Sequence, residues 1–291
     1  MTTLRIDHRT IYRYSGPVTF GRHRLVLRPR EGHEQQILRM TLEIFPRNHV
    51  TWTRDVFGNS VAFVHFLEPA DRLEIHSEVV LHREVPFPAE EPHEPWTVPM
   101  PVLYDRLESV VTDAYLLPSY PDDAAAVRQW MDREMPAPDQ TNAEAVLLAL
   151  GSIVHQRIKY NRRPEKGVQT PAETLKLQSG SCRDMATLMM DAARQLGIAS
   201  RFVSGYLDCP ASLAGRASTH AWIEYYLPLL GWRGFDPTIG EPTSLKHVVV
   251  GVSNHPRGVM PISGVFGGTS ADFLGLTVTV QTSIPLDRVA E

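Results

Sequence analysis

The chain holds only two thiols, Cys182 and Cys209, and one of them sits where a helix begins. Ser181-Cys-Arg-Asp184 reads as a capped helix start, with the Asp184 carboxylate placed to accept from the Ser181 N–H. Met185, Leu188, Met189, Ala192, Ala193 and Leu196 follow at helical spacing until Gly197 ends the run. Cys182 is then the first helical residue, where unpaired backbone N–H groups and the positive end of the helix dipole favour the nucleophilic thiolate. A free cysteine with nothing else near it is an ordinary small buried residue, so a thiol nucleophile needs a base and something to orient that base.

Both are offered by Thr219-His-Ala-Trp-Ile-Glu-Tyr-Tyr-Leu227 and Trp232-Arg-Gly-Phe-Asp-Pro237. A hairpin turning near Pro228 sets residue 220 against 236 and 222 against 234, making His220 and Asp236 cross-strand neighbours on one face. The carboxylate can then hold the imidazole through Nδ1–H and leave the other nitrogen for the thiol. Glu224 shares that face, but four residues along a strand is roughly 13 Å, too far to replace Asp236. Trp222 also shares it and can shield the pair from water. A strand histidine paired for stability, and an Asp-Pro dipeptide that merely opens a turn, are the alternatives. The Cys182 backbone N–H is the natural first donor to an oxyanion, and Tyr160 is the nominee for the second. Cys209, in a strand-exit segment before Pro210, lacks a capped helix and a nearby histidine and reads as a loop thiol.

These residues need a scaffold, and the periodicity supplies one in two parts. From residue 4 to about 84 apolar residues recur with period two, as in half-buried strands: Leu38, Met40, Leu42 and Ile44, then Leu73, Ile75, Val79 and Leu81, with turn chemistry at Asp55-Val-Phe-Gly-Asn59. An antiparallel β-sandwich over 1–85 follows. Six prolines between residues 86 and 101 suit an extended linker. The remainder, 102–291, mixes amphipathic helices with strands at Ser200–Leu207, Thr219–Leu227, Gly231–Phe235 and Phe273–Gln281. One of those helices starts at a capping box, Thr141-Asn-Ala-Glu144. The fold class expected is therefore α+β, with a C-terminal strand in the second unit.

Composition narrows the chemistry. A formal charge of −4 gives no field for a polyanion, so nucleic acid is not an expected partner. No apolar run approaches a membrane span and the first residues lack a signal-peptide pattern, so no membrane is expected and the location expected is cytoplasmic. The twelve histidines are scattered without ligand spacing, so neither a metal nor a cofactor is expected.

The ordered segments resemble a known family. Thr170-Pro-Ala-Glu-Thr174, Gly180-Ser-Cys-Arg-Asp184, Gly197-Ile-Ala-Ser-Arg-Phe-Val-Ser-Gly-Tyr206, His220-Ala-Trp222 and Phe235-Asp-Pro-Thr238 look like the transglutaminase-like core. Tyr12-Arg-Tyr14, Leu27-Arg-Pro29 and Asp55-Val-Phe-Gly-Asn59 are similar to the bacterial transglutaminase-like N-terminal region. The resemblance implies a papain-like core with a triad falling on Cys182, His220 and Asp236. It departs in one stretch: where many bacterial members carry Arg-Asp-Tyr-x-Asp-Val, this chain has Asn254-His-Pro-Arg-Gly-Val259, which leaves substrate preference and the role of His255 open.

The reaction expected is thiol attack on a peptide or protein amide, with a thioester on Cys182 released to water or to an amine. Hydrolysis is the simpler outcome and transamidation the alternative. A reading of another class is a non-catalytic binding module. Gly251-Val-Ser-Asn-His255 superficially resembles a serine nucleophile elbow but lacks its closing glycine.

Overall fold

In a computed structural model the described residues are 2–84, 97–135, 142–163, 165–208, 219–267 and 271–284. Six strands open the chain: β1 (Thr2–Phe20), β2 (His23–Leu25), β3 (Gln35–Phe45), β4 (Asn48–Arg54), β5 (Ser60–Phe66) and β6 (Ala70–Arg83). The period-two pattern is realised in β6, where Leu73, Ile75, Ser77, Val79 and Leu81 are all buried. In β3 it breaks. Ile37 faces Leu81 and Arg39 faces Val80, so Leu38 is the extra residue of a bulge and lies 47% exposed instead of alternating inward with Met40, Leu42 and Ile44. The 55–59 turn forms as its residues require. Asp55 Oδ1 accepts from the N–H groups of Phe57 (3.0 Å) and Asn59 (2.9 Å), and Gly58 takes φ +76°. One antiparallel sheet contains β1, β6 and β3, the other β2, β5 and β4, and Tyr14, Phe20, Leu25, Leu27, Val64 and Ile75 fill the space between them.

The second unit places helices α1 (Arg106–Thr112), α2 (Ala124–Glu134) and α3 (Ala143–Arg157) before a short strand β7 (Lys159–Tyr160). Then come α4 (Pro171–Leu177), β8 (Ser179–Gly180), α5 (Cys182–Gln195), β9 (Ser200–Leu207), β10 (Thr219–Leu227), β11 (Gly231–Asp236), β12 (Glu241–Pro242) and β13 (His247–Ser253). Asn142 caps α3, its side chain accepting from the Ala145 N–H at 3.1 Å; Thr141, part of the expected capping box, lies outside the described residues, as do Cys209 and most of the proline-rich 86–101 segment. At the end of that segment Val98 packs into the core, and its carbonyl accepts from Ala143 N at 2.7 Å.

Helix α5 is the axis of this unit. Every residue from Asp184 to Arg194 is buried, against α2 and α3 on one side and the β12-β11-β10-β9-β13 sheet on the other. Two buried charges near its end are paired. Asp191 accepts from the N–H groups of Ser119 and Tyr120, while Arg194 donates to the carbonyls of Leu117, Ser200 and Asn254. Gly197 at φ +78° ends the helix where a side chain would be strained.

The last strands return to the N-terminal unit: β14 (Ile262–Ser263) pairs β2, β15 (Phe266–Gly267) pairs β1, and β16 (Phe273–Ser283) runs antiparallel to β1 from Arg5 to Tyr14. The expectation that the C-terminal strand belongs to the second unit is thereby corrected. Its alternating residues complete the β1 sheet instead. The units also share an apolar cluster, in which Leu4, Ile6 and Val79 meet Tyr206, Val248 and Val250.

Candidate active site

The chemistry-bearing residues converge at the start of α5. Ser181 donates to Asp184 Oδ2 through both its N–H (2.8 Å) and its hydroxyl (2.7 Å), so the cap is made by the carboxylate reaching back. Asp184 is fully buried and gathers more: Gln169 N donates to Oδ1 at 2.8 Å and the Arg163 guanidinium lies at 3.3 Å. Gln169 immediately precedes the Thr170–Glu173 capping box that starts α4. A single carboxylate therefore fixes the loop, the helix start and the direction of the half-buried Cys182.

Opposite it stands His220, whose Nε2 meets Asp236 Oδ2 at 2.6 Å, with Cys182 near enough to favour the charged ring. The face-sharing expectation holds, but the register does not. The β10–β11 turn is centred on Leu229, not Pro228, so Glu224 faces Gly234 and Ile223 faces Phe235. Asp236 is thus diagonal to His220 rather than directly opposite, and the imidazole bridges the extra distance with its far nitrogen. The ring is also turned from the expected arrangement. Nε2 points at the acid, which leaves Nδ1 for the sulfur.

Burial opposes charge on His220, but the Asp236 carboxylate and then Cys182 outweigh it and hold the imidazole pKa well above its ordinary value. Burial likewise opposes charge on Asp236. The adjoining histidines overcome it and hold the carboxyl below the usual carboxylate range. Asp236 Oδ1 accepts from Thr238 N at 2.9 Å, so the acid also braces the turn that follows it. His155, from α3, pins that turn by contacting the Thr238 carbonyl at 3.1 Å. Glu224 is occupied elsewhere, paired with Arg201 at 2.6 Å.

Trp222 is 1% exposed, with its ring 6.2 Å from His220. Burying such a ring contributes on the order of 4–6 kcal/mol at about 25 cal/mol per Å². Tyr160 pairs in parallel with Gly180, two residues before the thiol, and burial followed by Cys182 pushes its phenol up. It lies at the rim, 37% exposed. Arg183 is half-buried and donates to the Glu165 carbonyl at 2.6 Å.

His255 stands apart. It starts the short helical turn at Pro256–Val259, accepting from Arg257 N at 3.1 Å, and its ring rests near Tyr120 (5.3 Å). Burial lowers its pKa.

Sequence reasoning missed His247. Its Nε2 lies 3.2 Å from Asp236 Oδ2, making it a second imidazole on the same oxygen. The only local signal is the Ser244-x-x-His247 turn, in which Ser244 N donates to His247 Nδ1 at 3.1 Å. Among the described residues no group of His, Cys, Asp and Glu is arranged to hold a metal ion.

Two family descriptions match the chain: the bacterial transglutaminase-like N-terminal region over residues 4–82 and the transglutaminase-like superfamily over 130–237. An uncharacterised Mycobacterium bovis protein is 30% identical over 277 residues, covering 90% of this chain and 86% of that one. The chain belongs to the transglutaminase-like superfamily. A Mycobacterium leprae relative, also uncharacterised, is 24% identical and spans 96% of this chain and 99% of its own. Within this transglutaminase-like chain, 67 residues are 37% identical to a protein-glutamine gamma-glutamyltransferase of Pseudomonas aeruginosa; the match covers 21% of this chain and 10% of that protein. The whole architecture recurs in a solved Cytophaga hutchinsonii structure described as a candidate cysteine protease, with a TM-score of 0.71 at 17% identity over 100% of this chain and 92% of the other. That likeness shows the fold, α+β and papain-like.

Proposed function

We propose that this transglutaminase-like protein is an acyl-transfer enzyme in which Cys182 attacks a peptide or protein amide, His220 manages the proton and Asp236 orients His220. The observation that carries the reading is the convergence of a thiol at a helix N-terminus, a buried imidazole whose charge that thiol favours, and a fully buried carboxylate 2.6 Å from the imidazole. In this reading Cys182 passes its proton to His220, whose pKa Asp236 first and Cys182 second hold well above the ordinary value. The sulfur adds to the carbonyl carbon. The Cys182 N–H faces the developing oxyanion, with Tyr160 the second candidate donor, and the imidazolium gives its proton to the leaving amine. A thioester remains, and His220 then activates water or an incoming amine to release it. Superfamily members are usually enzymes, which agrees with a complete Cys-His-Asp set.

A cavity of about 330 Å³ flanks this centre, between the sandwich and the α5 start. Arg183 and Thr219, chain neighbours of Cys182 and His220, line it with Tyr12, Tyr14, Lys166 and Phe273. Aromatic walls carrying charges of both signs, Lys166 and Arg183 with Glu165, suit the chain flanking a scissile amide. We assign hydrolysis as the reaction, since it needs only water as second nucleophile; transamidation shares every step up to the thioester. Incubating the protein with a peptide library, with and without a primary amine, and reading products by mass spectrometry tests this. New carboxyl termini or deamidated glutamines support hydrolysis, amine adducts transfer the assignment to transamidation, and no product dependent on Cys182 refutes the enzyme reading in favour of a binding module.

A further inference from the structure

Asp236 is served by two histidines, and the proposed mechanism uses one. His247 starts β13, its side chain 2% exposed, and it reaches the acid from the far side of β9. The sequence makes room for it. Gly205 on β9 lies opposite His220, and a Cβ there would sit 2.5 Å from the Trp222 ring and 2.1 Å from the Val248 carbonyl. With no side chain at 205, Trp222 swings over β9 and packs edge-on against His247, ring centroids 5.1 Å apart. The hydrogen of His247 is assigned by its neighbours. Ser244 N donates to Nδ1, so Nδ1 accepts and the proton sits on Nε2, aimed at Asp236 Oδ2. His247 is therefore a donor to the acid, whereas His220 is the ring that exchanges protons.

The backbone of His247 is held from the other unit. Arg83, at the end of β6, is buried and donates Nη2 to the His247 carbonyl at 2.9 Å. Two further ties run along the same strand: Arg30 N donates to the Val249 carbonyl (2.9 Å), and the Asn59 side chain both donates to the Val252 carbonyl (2.8 Å) and accepts from its N–H (2.9 Å). The sandwich thus grips the strand that delivers His247.

We propose that His247 is a positioning residue that fixes Asp236 for His220, and that Arg83 of the N-terminal sandwich fixes His247. The inference rests on the proposed thiol mechanism. The ionisable groups around Asp236 are His220 from β10, His247 from β13, Cys182 from α5 and Tyr160 from β7, with His155 of α3 behind the adjoining turn. Removing the His247 donor leaves the carboxylate with one imidazole and the Thr238 N–H. The carboxylate is then free to turn, His220 is held less firmly beside Cys182, and the thiolate loses part of the imidazolium that stabilises it.

The test is iodoacetamide alkylation of Cys182 against pH, read by peptide mass spectrometry in the full chain, for wild type, His247→Leu, His247→Gln and Arg83→Met. His247→Leu should move the acid limb of the profile up by about one pH unit, so that labelling on that limb falls about tenfold. His247→Gln, whose amide can still donate to Asp236, should restore most of it, and Arg83→Met should shift the limb in the same direction by less. A uniform loss of rate at all pH values, with the limb unmoved, would reduce His247 to a packing residue and overturn the proposal. If His247→Leu does not fold, His247→Gln and Arg83→Met decide it: unshifted limbs for Arg83→Met overturn the sandwich link. A wild-type Cys182 labelling like a free thiol would overturn the mechanism and this inference together, a result distinct from either variant outcome.

Discussion

Asp236 lies diagonally across the β10–β11 hairpin from His220, and the imidazole crosses that diagonal with Nε2 to meet Oδ2 at 2.6 Å. The arrangement makes the acid specific. An Asn at 236 must turn its NH₂ group either toward the two histidine Nε2 atoms or toward the Thr238 N–H, and each choice opposes donor to donor. Asp236→Asn should keep the fold and lower turnover by about 10³–10⁴-fold. Glu224→Gln, which loses only an ion pair with Arg201, should stay within a few-fold of wild type. Steady-state rates of the two variants check this, and the reverse order would assign the role to Glu224.

Cys182→Ala should abolish turnover, by at least about 10³-fold, because it removes the one thiol that, among the described residues, acts on His220. The helix start should survive, since the Ser181–Asp184 contacts do not involve the sulfur. Circular dichroism and thermal melting should therefore match wild type closely. Retained activity in this variant would end the thiol mechanism.

Asp184→Asn should do the opposite, damaging stability first. The carboxylate accepts from Ser181 N, Ser181 Oγ and Gln169 N and faces Arg163, so an amide there turns a donor toward donors in a fully buried site. A loss of about 2–4 kcal/mol is expected, measured by urea denaturation. A change below about 0.5 kcal/mol would contradict its role as the hub of the helix start.

Two histidines should titrate in opposite directions. The His220 pKa is raised, so its contribution to stability is full below the ordinary histidine value of about 6.5 and is lost as pH rises through the higher folded value. The Asp236 pKa is depressed, so its contribution is present above about 3.9 and is lost as pH falls toward the folded value. The pair should stabilise the fold most between about pH 4 and 6.5. His255, lowered by burial and by Arg257, should lose its proton below the ordinary value. Ring-carbon NMR of labelled histidines, assigned by His220→Gln and His255→Gln, should show His220 still protonated at neutral pH and His255 not. A His220 midpoint at or below that of His255 would refute the ion-pair description.

The candidate triad was legible because each member is announced locally: a cap beside Cys182, alternation that gives His220 a face, and an Asp-Pro turn at 236. Parity along a strand is robust, so a turn misplaced by one residue shifted the pairing yet kept both residues on the same side. The order of ring nitrogens was not legible, since it depends on where the sheet stands relative to α5. His247 was hidden for a related reason. Its contact crosses β9 and β10, strands remote in sequence, and depends on the empty space over Gly205. The return of β16 to β1 was equally non-local: a period-two run reveals a strand but not its partner. Leu38 misled because a bulge inserts one residue and leaves the sequence pattern looking regular.

The central claim is that Cys182 carries its reactivity as a thiolate paired with His220, and differential alkylation tests it without knowledge of the substrate. At about pH 6 a thiol with neither a helix start nor an imidazole beside it is almost wholly protonated, and Cys209 serves as the internal reference. Iodoacetamide over a short time course, read by peptide mass spectrometry, should label Cys182 at least about tenfold faster than Cys209, and His220→Ala should erase most of that difference. Equal labelling of the two cysteines in the wild-type protein, or preferential labelling of Cys209, would contradict the thiolate mechanism and leave the binding-module reading in its place.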